Sequence, residues 1–301
     1  MAIYKPLREK EGKRRYELID PVNLKSLGKL VCTTQDEIKD AVNKAQTAQV
    51  KWARLSISER VKFLHKILDK ILEKEIKIIE TVIRETGKTE TEALSMEIYA
   101  SIDSLSFYIK RAKKFLKPKK IKLHGLMRFM KKAHIFYKPR GVIGVITPWN
   151  GPFILALNPT VQALLAGNAV IIKPSEVTPY SSKLIETLFL EAGLPKFLVQ
   201  VLLGDGITGQ ELLNSNIDKV SFTGSIETGK KVAEICGSKL LPYTLELGGN
   251  DAMIVCADAD VDRSVEGALI GSYMNSGQYC CGTERIYVHK DIYDIFLEKL
   301  I

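Results

Sequence analysis

The second half of the chain alternates between two textures, and that alternation constrains the fold more than any other feature. Short apolar runs that read as strands, Val142–Ile146, Ala169–Ile172, Leu198–Leu203 and Lys219–Phe222, are separated by helical stretches. Those stretches lie near Leu157–Ala166, Ser182–Glu191, Gly209–Ser215 and from Thr228 to Cys236. Strands spaced by helices of about ten residues imply crossover βαβ units and therefore a parallel sheet. The Val142–Ile146 and Ala169–Ile172 runs are apolar on both faces, as strands covered on both sides must be. The expected class is α/β.

The first half is built differently. Tyr16–Ile19 and Gly28–Cys32 read as short strands flanking the turn Asp20-Pro21-Val22-Asn23. Thr34 with Glu37, and Ser56 with Glu59, have capping-box spacing and open two helices. The second carries Val61, Leu64, Ile67, Leu68, Ile71 and Leu72 on one face, continues toward Val82 and is stopped by Gly87. A third helix is expected over about Thr91 to Lys114, with Pro118 closing the block. Lys119–Leu123 and Ala133–Lys138 suggest a hairpin, with Gly125 at or near its turn.

With 301 residues, 46% hydrophobic and 26% charged, the composition is globular, and the length is one at which single cores begin to divide. At least two structural units are expected. Apolar stretches are broken well short of the roughly 20 residues of a membrane span. The N-terminal MAIYKPLREKEGKRRYEL has no apolar region behind its charges, so a secretory signal is not expected. Five cysteines without CxxC spacing make neither a disulfide framework nor a zinc site, and no metal is expected. The cytoplasm is the default compartment.

The net charge of +9 is local. Eleven Lys or Arg and no acid lie between Ser106 and His134, and the remainder is close to neutral. Such a run is either a solvated basic ribbon or a patch for an anionic partner. No nucleic-acid-binding motif accompanies it, and no nucleic-acid partner is expected.

Several segments carry chemistry. In Asn275-Ser276-Gly277-Gln278-Tyr279-Cys280-Cys281, two adjacent cysteines follow a Gly-Gln turn and precede a charged run, an odd place for core packing. A nucleophilic thiol would need a helix end or a cation to raise its thiolate fraction. In Leu245-Glu246-Leu247-Gly248-Gly249-Asn250, Glu246 is either a surface carboxylate on a strand edge or a base in an apolar wall, which would raise its pKa. Thr147-Pro148-Trp149-Asn150 follows a buried strand, at the edge where α/β sheets bind ligands, and Asn150 offers an amide donor there. Lys173-Pro174-Ser175-Glu176 ends another strand. Phe222-Thr223-Gly224-Ser225 opens a helix whose N–H groups suit a pyrophosphate. Gly204-Asp205-Gly206-Ile207-Thr208-Gly209 is a literal GxGxxG, a pattern that often only shapes a turn.

In this order the segments resemble those of the NAD(P)-dependent aldehyde dehydrogenase superfamily, from near the start of the chain to its last residue. The resemblance implies a parallel Rossmann-like cofactor-binding domain plus the beginning of a second α/β catalytic domain. It divides the chain into a cofactor domain (1–118 and 141–248), an oligomerisation hairpin (119–140) and the start of a catalytic domain (249–301). It implies that Cys280 is the nucleophile, Glu246 the general base and Asn150 the oxyanion donor. It assigns NAD, with NADP as the alternative, to Thr147, Trp149, Lys173, Ser175, Glu176, Gly209, Phe222, Gly224, Ser225 and Leu247. Glu176 favours NAD, because a carboxylate repels a 2′-phosphate. The implied reaction is oxidation of a small-molecule aldehyde to a carboxylic acid through a Cys280 thioester, in a homo-oligomer when full length.

Members of the family continue well past the nucleophile, whereas this sequence stops at Ile301 within an amphipathic pattern lacking a stop signal. A C-terminally truncated member is therefore expected. Three functional classes follow: an aldehyde dehydrogenase, a dinucleotide-binding remnant without turnover, and an anionic-partner module built on the basic segment. The exposed apolar residues Leu126, Met127, Phe129 and Met130 suit a subunit interface better than a phosphate groove.

Overall fold

The computed structural model describes residues 4–301 and begins with an antiparallel sheet. Strands β1 (Tyr4–Lys10), β2 (Lys13–Ile19) and β3 (Ser26–Val31) pair in sequence order. The charged β1 carries no strand pattern of its own; pairing with β2 makes it one. This sheet buries Leu18, Leu30 and Cys32 against Tyr180 and Leu203.

Helices α1 (Gln35–Ala53) and α2 (Ile57–Glu73) open on the two expected capping boxes, each satisfying two otherwise unpaired N–H groups. The expected single helix running to Gly87 is corrected. The backbone breaks at Lys74 (φ −110°, ψ 18°), and α3 (Glu75–Thr86) starts afresh. Apolar spacing hides the break because both helices bury one stripe, Leu64, Ile67 and Ile71 followed by Ile78 and Val82. Gly87 does end α3, at φ 74°, the left-handed C-cap that glycine adopts without a Cβ penalty. Next, α4 (Glu90–Glu92) runs through a π-helical stretch, Ala93–Tyr99, into α5 (Ala100–Leu116). Thr89 and Glu92 form a third capping box at its start.

The basic segment forms a short hairpin, β4 (Lys119–Ile121) with β5 (Ala133–Ile135), joined through one helical turn, α6 (Met127–Met130). Its strands are shorter than expected, and Leu126, Met127, Phe129 and Met130 are all exposed.

The parallel sheet comprises β6 (Val142–Ile146), β7 (Ala169–Lys173), β8 (Val199–Val201), β9 (Lys219–Gly224) and β10 (Tyr243–Leu247). Between them run α7 (Ile154–Leu165), α8 (Pro179–Glu191), α9 (Gly206–Asn214) and α10 (Ile226–Ser238). The strand order is β10-β9-β6-β7-β8. The chain builds outward from β6 through β7 and β8, then returns past β6 to add β9 and β10. That reversal opens a crevice at the carboxyl ends of β6 and β9, where ligands of such sheets bind. Beyond it, β11 (Asp251–Val255) and β12 (Thr283–Val288) pair in parallel. With α11 (Val261–Tyr273) and α12 (Tyr293–Leu300) they enclose a small core of Val255, Val265, Ala268 and Phe296. Among the described residues no helix is long and apolar enough to cross a membrane.

Candidate active site

The crevice at the switch point is a cleft of about 950 Å³. It brings together nine of the ten residues expected to hold a dinucleotide: Thr147, Trp149, Lys173, Ser175, Glu176, Gly209, Phe222, Gly224 and Ser225. Strand ends explain the convergence, since β6, β7 and β9 all point their carboxyl termini to this edge. The tenth, Leu247, does not line the cleft. Its side chain packs on α10 against Gly229, where a Cβ would fall 2.6 Å from Leu247 Cδ2.

Lys173 is buried, with Nζ 3.4 Å from Glu176 Oε2. Burial lowers its pKa and Glu176 partly restores it. Ser225 caps α10 by accepting the Thr228 N–H, which leaves the first N–H groups of that helix without intrahelical partners. Thr147 Oγ1 is buried without a hydrogen-bond partner among the described residues. An orphaned hydroxyl, free helix-terminal N–H groups and a lysine–carboxylate pair fit the phosphates and ribose hydroxyls of a dinucleotide.

The GxGxxG segment supplies Gly209 to this cleft and also shapes the turn into α9. Gly204 sits at φ 155° with Thr208 Oγ1 2.1 Å from where a Cβ would be, so the turn requires glycine. Asp205 then caps α9 through the N–H groups of Ile207 and Thr208. It also accepts from Arg14 Nε (2.9 Å) and Tyr16 Oη (2.8 Å), tying the antiparallel sheet to the rim of the cleft. Burial pushes its carboxyl up, but these donors outweigh burial and hold it down at about 2.

Glu246 and Cys280 line a second cleft, of about 740 Å³. Period-two alternation on β9 separates the two: Lys219, Ser221 and Thr223 line the second, Phe222 and Gly224 the first. Thr223 touches both and pairs in register with Glu246. Across the second cleft lie Leu155, Asn158 and Gln162 of α7. At its floor Arg60 is buried with Nε and Nη1 unpartnered, and burial lowers its pKa.

Glu246 lies exposed on β10, the edge strand of the sheet, which is the surface setting of the two that its sequence left open. Cys280 is exposed. What burial it has, together with the adjacent Cys281 thiol, pushes its own thiol up.

The loop carrying Cys280 is tied to the loop carrying Asn150. Asn150 Nδ2 donates to the Gln278 carbonyl at 2.9 Å. Asn275 Nδ2 donates to the same carbonyl at 3.0 Å and to the Asn150 carbonyl at 3.1 Å. Two acids from the helical rod hold this arrangement. Glu92 Oε1 accepts the Asn275 N–H at 2.8 Å. Glu97, fully buried and paired with Lys88 at 2.5 Å, accepts the N–H groups of Phe153 and Ile154 where α7 begins. Sequence reasoning missed both acids. The signal for Glu92 was the T-x-x-E spacing from Thr89, the same spacing already read at Thr34 and Ser56.

A cysteine-bearing loop, an asparagine amide and a large cleft thus come together along one edge of the parallel sheet. The family model described as aldehyde dehydrogenase family matches residues 7–301, and the chain belongs to that family. A 4,4'-diapolycopene aldehyde oxidase from Methylomonas sp is 40% identical over 283 residues, which is 94% of this chain and 53% of that protein. The crystal structure of succinate-semialdehyde dehydrogenase from Burkholderia pseudomallei superposes with a TM-score of 0.90 at 32% identity, covering 95% of this chain and 59% of that one. An aldehyde dehydrogenase from Bacillus cereus in its NAD+ complex gives a TM-score of 0.89 at 30% identity, covering 95% and 58%. The chain spans about half the length of the relatives it matches.

Proposed function

We propose that the chain binds NAD, or NADP, in the first cleft and carries the residues for oxidising an aldehyde to a carboxylic acid. One observation carries this reading: nine expected cofactor residues meet in one cleft, and Cys280 and Glu246 meet in the next, with Thr223 common to both. Lys173 and Glu176 would hold the adenosine ribose, and Ser225 with the first turn of α10 the pyrophosphate. The chemistry a nicotinamide dinucleotide supplies when bound is acceptance of a hydride. Cys280 attacks the aldehyde carbon and holds it first as a thiohemiacetal, later as a thioester. Asn150, with the Cys280 N–H, stabilises the oxyanion of that adduct. Glu246 takes a proton from the water that hydrolyses the thioester. The aldehyde approaches along α7, through the second cleft. In domain terms, 1–118 and 141–248 form the cofactor unit, 119–140 an oligomerisation hairpin, and 249–301 the nucleophile-bearing start of a catalytic unit. The hairpin's exposed Phe129 and Met130 support a homo-oligomer, and thiol chemistry suits a reducing compartment such as the cytoplasm.

A thermal melt with and without NAD tests the reading. Dinucleotide at 100 times its dissociation constant should stabilise the chain by about 2.7 kcal/mol, and Glu176→Ala should blunt the shift. A melt indifferent to both NAD and NADP would overturn it. A second reading, cofactor binding without turnover, is favoured by the exposure of Glu246 and the raised Cys280 thiol. It predicts the same thermal shift with no acid formed from any aldehyde.

A further inference from the structure

Glu92 divides its two oxygens between distant tasks. Oε2 closes the capping box of its own helix, accepting from the Thr89 N–H (3.2 Å) and Thr89 Oγ1 (3.0 Å). Oε1 reaches the other half of the fold and accepts the Asn275 N–H at 2.8 Å. Burial pushes this carboxyl up, yet those donors and Lys88 together bring it below the usual value, so it is an anion at neutral pH.

The residue it holds is strained. Asn275 (φ 55°, ψ 35°) and Ser276 (φ 56°, ψ 34°) are consecutive left-handed residues, neither of them glycine. A non-glycine residue persists in this conformation where its surroundings over-determine it. Asn275 is 4% exposed, and from this conformation its amide reaches both the Asn150 carbonyl and the Gln278 carbonyl. Gln278 lies two residues before Cys280 and also receives the Asn150 amide. A continuous path of hydrogen bonds thus runs from Glu92 through Asn275 to the proposed oxyanion donor and the nucleophile loop. Glu97 secures the far end of the Asn150 loop independently, at Phe153 and Ile154.

We propose that Glu92 is a positioning residue of the active site: by holding Asn275 in its left-handed conformation it sets the Asn150 amide relative to Cys280. This rests on the reading of Asn150 as the oxyanion donor. Displacement of a catalytic group by about 1 Å can cost on the order of 10²-fold in rate.

Two reactions of Cys280 separate positioning from mere support. Acylation by p-nitrophenyl acetate passes through a tetrahedral oxyanion and uses the Asn150 donor. Alkylation by iodoacetamide displaces iodide at a saturated carbon, develops no oxyanion and reports the thiol alone. Both are read on the intact 301-residue chain by mass spectrometry of the Cys280 peptide, with Cys280→Ala as the blank. Glu92→Ala should slow acylation at least about tenfold, against about 10²–10³-fold for Asn150→Ala, and leave alkylation within about threefold. Glu92→Gln keeps one acceptor oxygen for Asn275 and should restore most of the acylation rate. Both Glu92 variants lose a capping oxygen and should melt lower by similar amounts, so stability cannot explain the rescue. If Asn150→Ala acylates as fast as the unaltered chain, the oxyanion reading fails and the role of Glu92 with it. If Asn150→Ala is slow but Glu92→Ala is fast, or both reactions of Glu92→Ala fall together without rescue by Gln, the positioning role alone is overturned.

Discussion

Two parallel strand pairs in this chain are alike in pairing and opposite in cover. In β6–β7 every residue but Ile146 is buried, whereas in β11–β12 Val255 alone is. The sequences do not announce the difference: Ala252-Met253-Ile254-Val255 is as continuously apolar as Val142–Ile146. Helices lie on both faces of β6–β7. The second pair has its small core on one side, and Ile254 stands 73% exposed on the other. Backbone pairing satisfies N–H and C=O groups in both, but the hydrophobic contribution scales with area removed from water, roughly 25 cal/mol per Å². The dinucleotide cleft therefore rests on a completed core, and the Cys280 loop is attached to an open one.

The comparison breaks most directly in the strands. Ile171→Ala in β7 should cost about 2–5 kcal/mol, through lost transfer energy and an unfilled cavity. Ile254→Ala should stay within about 0.5 kcal/mol, as exposed substitutions do. Urea midpoints decide, and equal losses would mean that Ile254 is covered in solution. Asp205 sharpens the contrast, because it fastens the antiparallel sheet to the covered core. Its replacement by Asn should cost about 1.5–3 kcal/mol, the scale of charge-assisted hydrogen bonds. Its carboxyl, held at about 2, lies below the ordinary carboxylate value. The stability it contributes is therefore complete above about pH 4 and is lost as the pH falls through about 2. Midpoints measured from pH 6 to pH 2 should decline less steeply in Asp205→Asn; parallel declines would count against the ion pair. The smallest test compares helix caps. Thr34→Ala removes the cap of α1, which packs on the covered sheet, and should cost about 1 kcal/mol of global stability. Asp260→Ala removes the cap of α11 beside the open pair. Hydrogen exchange should there reveal local fraying, with the protection of β6–β9 unchanged.

Much of this was legible in the sequence because it is local. Capping boxes at Thr34 and Ser56, the stop at Gly87 and the β6, β7 and β9 strands all follow from spacing within a few residues. The break at Lys74 was not legible, since the buried stripe continues through it. Nor was β1, whose charged residues become a strand by pairing with Lys13–Ile19. In the candidate site, the strand ends were readable, and they carried Thr147, Lys173, Glu176 and Ser225 to one cleft. Missing was what touches what across long intervals. Glu92 meets Asn275 across 183 residues, and no local pattern encodes a partner that far away. The edge position of Glu246 is likewise a matter of strand order, set when the chain reverses past β6.

One small feature of the Cys280 loop restricts which side chains its neighbourhood can tolerate. The Gln278 carbonyl receives two amide groups, those of Asn150 and Asn275, so both of its lone pairs are engaged. An amide facing a carbonyl oxygen must present its nitrogen, and the side chain of Asn150 consequently has a single admissible polarity. The chain's own hydrogen bonds hold the amide in that one orientation. Aspartate, nearly the same shape, would set a charged oxygen against that carbonyl. At this position the closest look-alike is a worse substitute than alanine.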